Sequence, residues 1–185
     1  MINFDKVKKA LDNSDQEREK QIPISREIVR LSKKIIYSIH RNENTDTKLK
    51  EIKILLKKLI TISKASPKLL YSGPVKIAIQ EYVEAVAFDH FVENQKLIAY
   101  SEEFLDEEYY LMGLCDLSGE LVRKAIQEGI NKNTKLVIKI REVIDELYYK
   151  ILELDLRNGE LRKKSDGIKY DLKKLDDLAF NLSLK

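Results

Sequence analysis

Residues 51–65, EIKILLKKLITISKA, place apolar side chains at Ile52, Ile54, Leu55, Leu56, Leu59 and Ile62, with Lys53, Lys57, Lys58 and Lys64 between them. That spacing is the period of an amphipathic helix, and the alternation of a strand is nowhere sustained along the chain. Read outward from this stretch, the same period predicts helices over about 3–18, 24–41, 46–64, 74–99, 104–129, 135–155 and 159–183. The breaks have physical causes. Pro23 suits the first turn of a helix, where its missing N–H costs little. Ser72-Gly73-Pro74 ends one helix and opens the next, Gly129 with Asn131 and Asn133 makes a stop, and Asn158-Gly159 marks the last turn. Connections this short favour antiparallel neighbours in one bundle. The fold class is all-α, with residues 1–185 read as a single domain.

Composition narrows the function classes. Six Gly and three Pro in 185 residues exclude collagen-like and many-turned β architectures. A single Cys excludes a disulfide framework and a cysteine-based zinc site. The N-terminus lacks an apolar block of signal-peptide length, and no window approaches a membrane span. The expectation is a soluble cytoplasmic protein with no membrane partner. With nine Tyr, five Phe and no Trp, an aromatic stacking platform is permitted but not announced.

The net charge of +3 hides a strong asymmetry. Residues 20–68 carry 13 basic and 4 acidic side chains, whereas residues 69–130 carry 4 and 12. A basic stretch followed by an acidic one points to a polyanion partner plus something else. Arg26, Arg30, Lys33, Lys34 and Arg41 recur near helical spacing and are candidate phosphate contacts, a solvated lysine-rich face being the alternative.

The acidic middle has carboxylates in unusual places. On a helical wheel Glu81 and Glu84 share a side with Ile77, Phe88, Phe91 and Val92, while the opposite sides are also apolar. A helix of that kind is expected to be buried, and burying two carboxylates one turn apart requires compensation. The next helix, EEYYLMGLCDLSGELVRKAIQEG, has one narrow polar stripe of Gly113, Asp116, Glu120, Arg123 and Gln127. Gly113 would let another backbone or a ligand approach closely. If these helices are antiparallel neighbours, Glu81, Glu84, Asp116 and Glu120 face one another. Such a cluster, with no opposing Lys, makes a hard-cation site for Mg²⁺ or Mn²⁺. Salt bridges on a solvated stripe are the other reading of the same residues. A di-iron bundle would need Glu-x-x-His on two helices, and neither His40 nor His90 follows a Glu by three. His90 reads as a core or cavity-wall residue, Cys115 as a small buried hydrophobe, and Arg123 as a partner of Glu120 or a phosphate clamp.

These segments resemble the translin/Trax family. IQEYVEAVAFDHF (79–91) and YYLMGLCDLSGELVR (109–123) are similar to the carboxylate-bearing segments of Trax. The tail LDLRNGELRKKSDGIKYDLKKLDDLAFNLSLK (154–185) is similar instead to the translin C-terminus, and ISREIVRLSKKIIYSIHR (24–41) fits the family's basic early helix. The resemblance implies a seven-helix bundle of the translin type that assembles as a hollow homo-octamer around single-stranded nucleic acid. Within it, Trax-like subunits are metal-dependent ribonucleases and translin-like subunits bind RNA or DNA without cutting it. Glu81, Glu84 and Asp116 match the Trax pattern, and Glu120 matches a Glu of both branches. The Trax-type insertion between the two carboxylate helices is absent, replaced by a short acidic link from Ser101 to Glu108.

The combined expectation is an endoribonuclease of single-stranded RNA, with single-stranded DNA as a second possible ligand. Glu81, Glu84 and Asp116, with Glu120 as a further ligand or water-orienting base, hold Mg²⁺ or Mn²⁺. Arg26, Arg30, Lys33, Lys34, Arg41 and Arg123 hold the strand. A nuclease using a histidine pair is disfavoured, because the only two histidines are 50 positions apart. The competing expectations are a non-catalytic, translin-like nucleic-acid-binding octamer and a helical scaffold.

Overall fold

The helical period becomes geometry in the computed structural model, which describes residues 4–64 and 67–184. Its helices are α1 (Asp5–His40), α2 (Asp46–Lys64), the single turn α3 (Pro67–Leu70), α4 (Gly73–Asn94), α5 (Glu107–Ile130), α6 (Thr134–Leu152) and α7 (Glu160–Ser183). A 3-10 turn at Glu102–Phe104 lies in the link between α4 and α5, and there is no strand among the described residues. The chain is therefore all-α. Asn3, where the first helix was expected to begin, lies outside the described residues.

The expected helices at 3–18 and 24–41 are one continuous helix with Pro23 inside it. Proline removes one backbone hydrogen bond and crowds the carbonyl four residues earlier. Anchors on both sides hold the helix through that defect. Gln21 is buried and donates from Nε2 to Ser63 Oγ of α2 at 2.9 Å, and Ser25 and Ile28 are buried just beyond the proline. Among the described residues six long helices result rather than seven.

Two other boundaries differ from expectation for local reasons. The helix expected over 74–99 stops at Asn94, because Gln95 turns left-handed (φ 54°) and its N–H closes on the Phe91 carbonyl. The next begins at Glu107 rather than 104, because the Asp106 carboxylate accepts from the backbone N–H groups of Glu108 and Tyr109.

Side-chain pairs give the helix directions. α1 and α2 are antiparallel, with Gln21 against Ser63 and Ser38 against Lys48. α1 and α4 run in the same sense: Lys33 meets Glu81, and the His40 ring meets that of Phe88. α4 and α5 also ascend together. Gln80 Nε2 lies 2.9 Å from Met112 Sδ, and Gly113 lies against Gln80 and Val83. This corrects the antiparallel expectation for the two carboxylate helices; the link through residues 95–106 returns the chain along α4 before α5 begins.

Gly113 is where α4 and α5 cross. A Cβ there would stand 2.6 Å from Val83 Cβ and 2.9 Å from the Gln80 carbonyl oxygen. The close approach expected at this glycine is thus to a neighbouring helix, not to a ligand. Around the crossing, Val75, Ile79, Tyr82, Val83, Phe88 and Phe91 of α4 join Met112, Leu117 and Leu121 of α5 in one core cluster. Burying each of the larger side chains contributes about 1.5–3 kcal/mol. That packing fixes the register of the carboxylates at the edge of the core.

Candidate metal centre and nucleic-acid groove

α4 is not buried on every side. Phe88 and Phe91 are buried as expected, but Ile77 and Val92 are exposed, and Glu81 and Glu84 are only partly buried. Along this open strip, Glu81, Glu84 and Glu120 line a cleft of about 360 Å³ together with Lys33, Ile36 and Tyr37 of α1 and Arg123 of α5. Helix α4 supplies the first two carboxylates one turn apart, and α5, held in register by the Gly113 crossing, supplies the third.

Glu84 carries the strongest perturbation. Burial, then the charges of Asp116, Glu81 and Glu120, push its carboxyl up to about 8, against a weaker lowering by Lys164. Glu81 is also raised, first by burial, and Lys33 (Nζ 3.9 Å from Oε1) opposes that more strongly than Asp116 adds to it. Glu120 is shifted the other way. His40 Nε2 lies 2.5 Å from Glu120 Oε2, and this hydrogen bond lowers the Glu120 carboxyl despite its partial burial. The His40 side chain is almost wholly enclosed, against Phe88 and with Gln127 Oε1 3.3 Å from Nδ1.

Asp116 has a partner that the spacing did not reveal. Lys164 of α7 donates to both of its carboxylate oxygens, at 2.6 and 2.5 Å. This corrects the expectation of a cluster without an opposing lysine. In this arrangement no three His, Cys, Asp or Glu side chains among the described residues come together closely enough to hold an ion. The donor chemistry nevertheless fits a hard divalent cation: every donor is a carboxylate oxygen, and Glu84 is surrounded by negative charge. The Lys164 ammonium on Asp116 is itself a cation seated on that set.

The basic residues divide into two groups. Arg26, Arg30, Lys33, Lys34 and Arg41 are all exposed. Lys33, Lys34 and Arg41 line a second depression of about 480 Å³ with Tyr37, Ser38, Glu43 and Lys48. Arg26 and Arg30 lie outside both depressions, and Arg30 is ion-paired with Glu27. Arg123 reaches Glu120 at 3.7 Å and also lies over the Tyr37 ring, 5.3 Å from its centroid. Lys33 and Tyr37 belong to both depressions, so the basic groove and the carboxylate cleft adjoin.

The remaining sequence candidates fall outside this site. His90 does not line the cleft; its ring Nδ1 is 3.3 Å from Asn94 Nδ2 near the end of α4. Cys115 is buried, and burial pushes its thiol up to about 12, which leaves it inert. Sequence reasoning missed His40, Lys164, Tyr37 and Lys48 as members of the site.

Residues 16–185 match the translin family. The chain belongs to that family. An uncharacterized protein of Methanocaldococcus jannaschii is 31% identical over 183 residues, covering 95% of this chain and 81% of the relative. The translin-associated protein X homolog of Schizosaccharomyces pombe is 30% identical over 146 residues, 68% of this chain and 62% of its own length. Among solved structures, apo-NeC3PO superposes with a TM-score of 0.87 at 28% identity over 98% of both chains. AfC3PO in its complex with duplex RNA superposes at 0.78 with 23% identity, over 99% of this chain and 97% of that one, a likeness of fold. In this translin-family chain the bundle therefore resembles theirs along nearly its whole length.

Proposed function

We propose that this translin-family protein is a metal-dependent endoribonuclease that binds and cleaves single-stranded RNA within a homo-octameric shell. The observation that carries the reading is Glu84, which lines a cleft with Glu81 and Glu120 beside a basic groove and is acted on by the charge of Asp116. Family membership and the fold shared with C3PO structures, one of them a complex with duplex RNA, support an RNA ligand and a multimeric assembly.

Glu81, Glu84 and Asp116 would hold Mg²⁺ or Mn²⁺, with Glu120 as an additional oxygen donor. When bound, the ion supplies Lewis-acid stabilisation of the phosphoryl oxygens and a nucleophilic hydroxide. The protein's own groups do the positioning. Lys33, Lys34, Arg41 and Lys48 offer phosphate contacts along the groove, and Arg123 stands between groove and carboxylates. His40 fixes Glu120 in one orientation. Attack of water on phosphorus with departure of the 3′-oxygen leaves 5′-phosphate and 3′-hydroxyl ends.

A second reading has its own observation. Lys164 saturates both oxygens of Asp116, and Glu120 is taken by His40 and Arg123. Those ion pairs suit a non-catalytic octamer that binds single-stranded RNA or DNA. Incubating single-stranded RNA with wild-type protein and with Asp116→Asn or Glu84→Gln, in Mg²⁺ or in EDTA, separates the two. The nuclease requires cutting by wild type in Mg²⁺ alone, and loss of cutting without loss of RNA affinity in both variants. Undiminished cutting in EDTA, or none under any condition beside firm RNA binding, rejects it.

A further inference from the structure

Tyr37 is an exposed aromatic side chain that neither the fold nor the carboxylate chemistry uses. It projects from α1 with 58% of its surface open. It borders both the basic groove and the carboxylate cleft, and the Arg123 guanidinium lies over its ring at 5.3 Å. Tyr37 and Lys33 are the residues that line both depressions, so the ring stands where the two meet. Aromatic rings next to a basic track hold bases by stacking, tolerant of sequence because every base has a π-face. Arginine over a ring adds a cation–π contact and keeps the ring in one orientation.

We propose that Tyr37, braced by Arg123, is a stacking shelf that seats one unpaired nucleobase at the junction of the basic groove and the carboxylate cleft. The shelf selects unpaired strands, since a base inside a duplex already has neighbours stacked on both faces. It fixes which phosphate lies over the carboxylates, because the base on the shelf sets the register of the strand. This inference rests on the RNA-binding part of the proposed function, not on catalysis.

The test is a binding experiment in EDTA, where cutting plays no part. The probe is a short single-stranded oligoribonucleotide with a 5′ fluorophore and one internal 2-aminopurine, measured with wild type, Tyr37→Phe and Tyr37→Leu. Wild type and Tyr37→Phe are expected to bind alike and to quench 2-aminopurine. Tyr37→Leu is expected to lose about 5- to 100-fold in affinity, together with the quenching. The same strand annealed to its complement is expected to show no protein-dependent quenching. Equal affinity and quenching in Tyr37→Leu and wild type would overturn the shelf alone. So would an altered mass of Tyr37→Leu by light scattering, which would make the ring a contact between copies. No RNA binding by wild type would instead remove the reading on which the shelf rests.

Discussion

Glu84 is the residue where structure and chemistry meet, and its titration has a definite sign. Burial and the neighbouring carboxylates push its carboxyl up to about 8 in the fold, against an ordinary 4.5. Between those values the folded protein binds more protons than the unfolded chain, so stability falls as pH rises through that window. Glu84→Gln removes the penalty. Without divalent cation, the variant should melt several degrees above wild type near pH 9 and within about a degree of it near pH 4.5, in paired thermal melts. Addition of Mg²⁺ near pH 9 should raise the wild-type midpoint more than that of the variant, because only wild type regains a carboxylate to pair with the ion. Equal midpoints near pH 9 would mean that neither burial nor the surrounding carboxylates raise the Glu84 carboxyl. The four carboxylates were legible in the sequence because each pair sits three or four positions apart on one helix. Their partners were not: His40 is 80 positions from Glu120, and Lys164 is 48 from Asp116. No local spacing marks a contact made only when a third helix packs alongside, so the lysine on Asp116 and the histidine on Glu120 emerged from the fold alone.

At the scale of the elements, the crossing of α4 and α5 decides whether Glu120 shares a cleft with Glu81 and Glu84. Gly113 has no room for a methyl group against Val83 and Gln80, whereas Gly119 on the same helix has nothing within 4 Å of a Cβ. Gly113→Ala should therefore cost about 1–3 kcal/mol by forcing the helices apart. Gly119→Ala should be neutral or stabilising by up to about 1 kcal/mol through helix propensity. Urea unfolding of the two variants checks this, and equal midpoints would contradict the tight crossing. The helices themselves could be read from apolar periodicity and from stop signals such as Gly73-Pro74. Helix direction could not, because a link as brief as residues 95–106 permits either a tight reversal or an extended return along α4. Pro23 misled for a related reason. Its local cost is real, but Gln21, Ser25 and Ile28 pack on either side of it and outweigh a single lost hydrogen bond.

For the whole molecule, the near-neutral sum of charges resolves into a basic groove beside a cleft of mixed charge rather than into a neutral exterior. The basic groove draws Lys33, Lys34, Arg41 and Lys48 from the sequence stretch with the large positive excess. The neighbouring cleft draws Glu81, Glu84 and Glu120 from the acidic one. A phosphate chain gains from the first, while the second also holds Lys33 and Arg123 and a Glu84 carboxyl pushed up to about 8, so it carries little net charge of its own near neutral pH. The groove term can be measured separately. Each phosphate neutralised on a single strand contributes about 0.7 to the slope of log affinity against log salt concentration. Replacing Lys34 and Lys48 together by Gln should therefore lower that slope by about 1.4 for a single-stranded RNA held in EDTA, while Arg26→Gln, outside both depressions, should leave it unchanged. A slope that falls as much for Arg26→Gln as for the lysine pair would mean that phosphates follow the length of α1 instead of the groove. The register of RNA over the carboxylates would then have to be set by surfaces other than the junction at Tyr37.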